Sequence, residues 1–177
     1  MPPVARSDAR LFVLGSLPGD ASLAAGRYYA HPTNQFWRLL GAAIGEELHD
    51  LQYEVRLERL ADRRIGLWDV IASATREGSL DQAIRQIEHN RIDHLLNDFP
   101  ELRAIAFNGL TASSVGRKLI GGRSASLSLI DLPSSSAANT ASFAKKVASW
   151  MQLGEFIGCQ KPFQGCATRT SRHDEAR

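Results

Sequence analysis

Leu11-Phe-Val-Leu-Gly15 is four apolar residues closed by a glycine, followed from Ser16 to Thr33 by a loop rich in Pro, Gly and small side chains. A run that is apolar at every position predicts a strand covered on both faces, as in a parallel sheet. Three further runs read as strands: Ile65-Gly-Leu-Trp-Asp-Val-Ile71, Leu102 to Phe107 before Asn108-Gly109, and Ser126 to Leu132, the last with alternation. Between them apolar residues recur at helical spacing. Phe36, Leu39, Leu40, Ala43 and Ile44 predict a helix that begins at Asn34 and stops at Gly45. Leu48 to Arg64 is a charged helical stretch. Leu80, Ala83, Ile84 and Ile87 predict one helix, and Ile92, Leu95, Leu96 and Phe99 a second, with a break near Asn90 and an end at Pro100. Ala112, Val115 and Leu119 mark another helix, and Phe143, Val147, Trp150 and Met151 the last. Strands alternating with helices give an α/β fold, a three-layer αβα arrangement around a central four-stranded parallel sheet. Ligands in such sheets bind beyond the carboxyl ends of the strands. Those ends are the loop after Gly15, the segment from Asp69 to Ser79, Asn108-Gly109, and Leu132 to Asn139.

The rest of the chain limits what this fold does. At 177 residues, with 44% hydrophobic and 23% charged residues, it is one ordinary globular domain. Residues 1–157 form that domain, and the polar, basic residues 158–177 are expected to be a disordered tail. Cys159 and Cys166, both in that tail, are too few and too local for a disulfide framework or an iron-sulfur site, which predicts a reducing, cytoplasmic setting. No stretch approaches the about 18 apolar residues of a membrane span. The net charge of +2 conceals a polarity: residues 46–101 carry −6, and residues 102–157 carry +4. One electropositive face for an anionic partner is consistent with that distribution, as is a merely solvated surface.

The common enzyme motifs are absent: there is no Gly-x-x-x-x-Gly-Lys-Ser/Thr, no Gly-x-Gly-x-x-Gly and no Gly-x-Ser-x-Gly. His89 and His94 are five apart, which does not stack them on one helical face as zinc ligands. Two loops remain. The first runs from Gly15 to Trp37 and places two tyrosines, a histidine and an asparagine beside glycines that let a backbone approach a ligand. The second, Leu132-Pro-Ser-Ser-Ser-Ala-Ala-Asn139, is a hydroxyl-rich turn into a helix whose free N–H groups suit a phosphate. Asp69 and Asn108 end strands that face the same side, where an acid or amide can hydrogen-bond a ligand. For Asp69, capping of the following segment is the alternative.

Gly15-Ser-Leu-Pro-Gly19, Tyr28-Tyr-Ala-His-Pro-Thr-Asn-Gln-Phe-Trp37, Leu67-Trp-Asp-Val-Ile71 and Leu132-Pro-Ser-Ser-Ser136 together resemble the uracil-DNA glycosylase superfamily, and within it the hypoxanthine-DNA glycosylase branch most. The resemblance covers about residues 10–152. It implies the superfamily's fold, a DNA substrate, and hydrolysis of the N-glycosidic bond of a deaminated base, hypoxanthine first, then xanthine or uracil. It also departs from the wider superfamily. Leu17 stands where uracil-excising relatives place the Asp or Asn that handles water, and Leu132 where many have His or Asn. The hypoxanthine branch is similar in lacking both, and there the asparagine matching Asn34 is implicated in catalysis.

The resemblance therefore implies Asn34 as the catalytic residue, with a plain helix N-cap as the competing role. It implies Tyr29 as the ring that stacks on a flipped base. Tyr28 is the second ring available for that role, and Phe36 fits the apolar stripe of its helix. Gly15, Ser16, His31, Asp69 and Asn108 complete the expected base-binding set, His31 being equally suited to hold its own loop. Ser134, Ser135, Ser136 and Lys145 are expected at the DNA backbone, with Lys146, Arg117 and Lys118 as further sources of charge, although a solvated face explains each cation equally well. No lysine lies near the loops as a Schiff-base nucleophile, so no lyase step is expected. No metal and no other cofactor is called for, and the chain is read as a monomer. Two other readings stay open: a hydrolase of phosphorylated small molecules using Ser134 to Ser136 with His31 as base, and a catalytically silent DNA-binding module, suggested by Leu17 and Leu132.

Overall fold

A computed structural model describes residues 1–76 and 84–157. Four strands, β1 (Leu11–Gly15), β2 (Ile65–Asp69), β5 (Ala104–Asn108) and β6 (Ser128–Leu132), form one parallel sheet in the order β2-β1-β5-β6. Leu11 pairs with Ile65 on one side and Ala104 on the other, and Ala104 pairs with Ser128, so the strands end nearly level. β1 is central and buried at all five positions, which is why its sequence is unbroken apolar.

Side chains alternate across a strand, and that alternation builds two cores. Leu11, Val13, Leu67, Ala106 and Leu132 face one way, onto α2 (Phe36–Ile44), α3 (Tyr53–Asp62) and α6 (Phe143–Trp150). Phe12, Leu14, Ile105 and Phe107 face the other, onto a 3-10 turn (Ile92–His94) with the short α4 (Leu95–Asp98), and α5 (Leu110–Ile120). The three-layer α/β fold with its four-stranded parallel sheet is as the sequence predicts.

Several local expectations need correction. The helix expected from Asn34 begins at Phe36, because Asn34 turns its side chain back onto the chain. A short helix, α1 (Asp20–Ala25), lies within the first loop and ends at Gly26 in the left-handed region. The strand read through Ile71 stops at Asp69, and β3 (Ile71–Arg76) starts a second, antiparallel pair with β4 (Ile84–His89). That replaces the helix expected across Leu80 to Ile87, of which residues 80–83 lie outside the described residues. Ile87 is 44% exposed, so its spacing to Ile84 marks no buried helical stripe, and cross-strand pairing decides the conformation. The serine-rich turn does not run into a helix, since α6 starts only at Phe143 with Ser142 as its N-cap. The residues after Ile157, read as a disordered tail, lie outside the described residues.

Candidate active site

The carboxyl ends of β1, β2 and β5 and the loop after β6 surround one cavity of about 650 Å³. Its walls include Gly15, Ser16 and Leu17 from the first loop, then Tyr28, Tyr29, His31 and Asn34 further along it. Asp69, Asn108 and Thr111 contribute from the strand ends, and Ser134 to Asn139 from the second loop. Lys145 is exposed and does not line it, and Leu132 is buried in the core. Leu17 is at the wall, so the position expected to handle water is apolar.

Close approach at Gly15 brings the first loop onto the sheet. A Cβ there would collide with Asp69 Oδ1 and lie 2.9 Å from the Tyr29 hydroxyl, so only glycine lets these two groups converge. Tyr29 has a φ of 53°, in the left-handed region that a tyrosine rarely adopts. Its ring stacks on Phe36 at 3.6 Å between centroids and 7° between planes, and this packing offsets the backbone cost. Tyr28 points inward instead. Its hydroxyl donates to Pro2 O at 2.9 Å, and burial, then the charge of Asp69, push its ionisation well above the usual tyrosine value. Its N–H donates to the Tyr53 hydroxyl at 2.9 Å, anchoring the loop to α3.

Asn34 sits at the cavity wall with its backbone N–H on His31 O at 2.9 Å. Its Oδ1 accepts the Phe36 N–H at 3.0 Å, which fixes the amide plane and leaves one oxygen lone pair and the NH₂ group. Of the two roles weighed for Asn34, the structure shows the capping one in part. The residue satisfies a first-turn donor without being the helix N-cap itself, which is Gln35. His31 is exposed, and its Nδ1 accepts the Thr33 N–H at 3.3 Å and lies 2.9 Å from Thr33 Oγ1, which holds the loop locally.

The second loop is fixed from behind. Asn108, buried at the end of β5, donates Nδ2–H to Ser135 Oγ at 2.9 Å and accepts the Ser135 N–H at 2.8 Å. Both its polar atoms therefore serve the loop. Gly109, at φ 101°, allows Ser134 to pack against it. Trp150 Nε1 donates to Pro133 O at 3.1 Å, and Ser135 O accepts the Gln35 N–H at 3.0 Å, tying the second loop to the residue after Asn34. Lys146 is 1% exposed and donates inward to Gln35 and to the loop's carbonyls, so it is not at the surface where sequence reading put it. Arg117 pairs with Asp131 at 3.0 Å. Sequence reading missed the structural roles of Gln35 and Lys146, and Thr111 in the cavity wall; only adjacency to Asn34 marked Gln35 at all.

The uracil DNA glycosylase superfamily matches residues 2–154 of the chain. Two curated relatives named hypoxanthine DNA glycosylase are similar over most of their length. The protein of Methanosarcina barkeri is 40% identical over 151 residues, 85% of this chain and 94% of the relative. That of Methanosarcina acetivorans is 42% identical over 149 residues, 84% and 92%. The solution NMR structure of a candidate uracil DNA glycosylase from Methanosarcina acetivorans superimposes with a TM-score of 0.78 at 40% identity, covering 88% of this chain and 95% of that one. No described helix is long and apolar enough to cross a membrane.

Proposed function

From a chain that belongs to the uracil DNA glycosylase superfamily, and is a DNA glycosylase, we infer an enzyme that releases hypoxanthine from DNA, with xanthine and uracil as lesser substrates. The observation that carries this reading is the convergence of Asn34, Tyr29 and Asp69 on one cavity beside an apolar Leu17, in a chain 40% and 42% identical to proteins named for that base.

In the reaction, the bond from C1′ of the deoxyribose to the base nitrogen breaks and its electron pair leaves with the base. A water oxygen bonds to C1′, one water proton goes to solvent, and the departing base takes up a proton. The sugar passes through an oxocarbenium-like state, so positioning and electrostatics carry most of the work. Asn34, its amide held by the Phe36 N–H, orients the water through its remaining lone pair and NH₂ group. Tyr29, with Phe36 against one face, offers the other face to the extruded base. Asp69 reads the base edge. Deamination of adenine turns the N1 acceptor into an N–H donor, and a carboxylate accepts that donor while it repels the N1 lone pair of adenine. Asn108 acts through Ser135 and holds the loop that meets the DNA backbone. Against the hydrolase reading, Ser135 is fully buried with its hydroxyl bonded to Asn108, and His31 Nδ1 is engaged with Thr33. The enzyme acts as a monomer, in the cytoplasm, with no lyase step.

The test is base release from duplexes carrying one deoxyinosine, deoxyxanthosine or deoxyuridine, for the native chain and Asn34→Ala. Deoxyinosine should be the best substrate, and Asn34→Ala should lose about 10²–10³ in rate, the scale of a lost preorganised polar group. Folded native protein that releases no base from any of these duplexes would refute the reading.

A further inference from the structure

Lys146 is the one lysine among the described residues that is buried, at 1% exposure. Its ammonium donates to Gln35 Oε1 at 3.0 Å, to Asn139 O at 2.8 Å and to Ser136 O at 3.4 Å. No carboxylate answers it among the described residues. A buried charge without a counterion is costly, and hydrogen bonds to the ammonium are what offset that cost. Here they fix the second loop of the active site. The loop is pinned at Ser136 and Asn139 by Lys146, at Ser135 by Asn108, and at Pro133 by Trp150. Gln35 receives the ammonium through its side chain and donates its N–H to Ser135 O, and it directly follows Asn34. Burial also holds the lysine's ionisation below its usual value, the expected mark of a desolvated ammonium.

The orientation of the loop's peptides follows. In a trans peptide the N–H points opposite the C=O. With Ser136 O turned in toward the ammonium, the N–H of Ala137 is turned out, and Ala137 is exposed at the cavity wall. That N–H has no acceptor among the described residues.

We propose that Lys146 is a positioning residue for base release: its ammonium locks the Pro133–Asn139 loop to Gln35, and so to Asn34, and aims the Ala137 N–H at a DNA phosphate. The proposal rests on the glycosylase reading of this cavity. It differs from a phosphate contact by Lys146 itself, because the side chain faces the interior.

The experiment compares the native chain, Lys146→Met and Gln35→Leu in steady-state hypoxanthine release from a duplex with one deoxyinosine, and in the salt dependence of binding to that duplex. Methionine keeps the apolar stem and removes the donors. Thermal unfolding identifies which variants are folded at the assay temperature. In folded Lys146→Met, kcat should fall at least about tenfold, in the range that misplacement of a positioned group costs, with the salt slope unchanged. Gln35→Leu should lower kcat in the same direction. Two outcomes overturn the proposal: kcat within about twofold of native in folded Lys146→Met, or a salt slope lower by about one, which would make the lysine a phosphate ligand. If Lys146→Met does not fold, Gln35→Leu decides, and unchanged kcat there overturns it equally. Native protein without base release would instead bring down the glycosylase reading and this proposal with it.

Discussion

Asp69 and Gly15 meet at the floor of the cavity, and each makes a distinct prediction. Asp69→Asn replaces an acceptor-only group by one that is both donor and acceptor, so it should lower deoxyinosine turnover by about ten- to a hundredfold, the span of a charge-assisted hydrogen bond of about 1.5–3 kcal/mol. Rates on deoxyinosine and deoxyadenosine duplexes check this, and an unchanged deoxyinosine rate would remove Asp69 from base reading. Gly15→Ala inserts a methyl between the Asp69 carboxylate and the Tyr29 hydroxyl. Overpacking of this kind costs about 1–3 kcal/mol. Thermal unfolding should show that loss, with base release falling further than the lost stability explains. At this scale the sequence located residues that belong to a motif, since Asn34 and Tyr29 both line the cavity, and misled where environment decides. Lys145 and Lys146 are neighbours of the same type, one exposed and one buried, and nothing in a pair of adjacent lysines says which.

Among the elements, α6 does two jobs: it closes one core and it holds the second loop through Trp150. The indole packs edge-on against Phe36 with centroids 5.6 Å apart, while its N–H reaches Pro133 O. Trp150→Phe keeps most of the apolar contact and loses the bond, so it should cost about 1 kcal/mol, or about 2–4 °C in Tm for a domain of this size. Calorimetry measures that part. A fall in base release at temperatures where the variant is fully folded would show that the bond also aligns the loop. The parallel strands were legible because burial on both faces leaves an unbroken apolar run. The hairpin of β3 and β4 was not, because Ile84 and Ile87 are three apart, a helical spacing, and only pairing across strands makes the segment a strand. The start of α6 was misread for another reason. A serine-rich turn looks like a cap, yet its serines bond to Asn108 and to one another, and the capping serine is Ser142.

Across the whole molecule, charge sets two further behaviours. A DNA-binding chain with +4 on residues 102–157 should lose duplex affinity steadily with salt, and the slope counts the phosphates neutralised. Acid acts through Asp131, whose carboxyl is held below its usual value by the Ser113 hydroxyl and, next, by Arg117, joining β6 to α5. A depressed folded pKa contributes stability above the ordinary carboxylate value of 3.8 and loses it as pH falls through the lower folded value. The side chain is 57% exposed, so screening keeps the effect to a fraction of a kcal/mol. Asp131→Asn should therefore unfold slightly earlier than native protein at neutral pH, and the gap should close in strong acid. The left-handed backbone of Tyr29 has a consequence in time as well as in energy. Its ring is already fixed against Phe36 before any duplex arrives, so in the proposed role it would receive an extruded base with no rearrangement of that side chain. What extrusion still costs is the unpairing and unstacking of the base, so single-turnover release at subsaturating enzyme should rise with the weakness of the pairing opposite deoxyinosine.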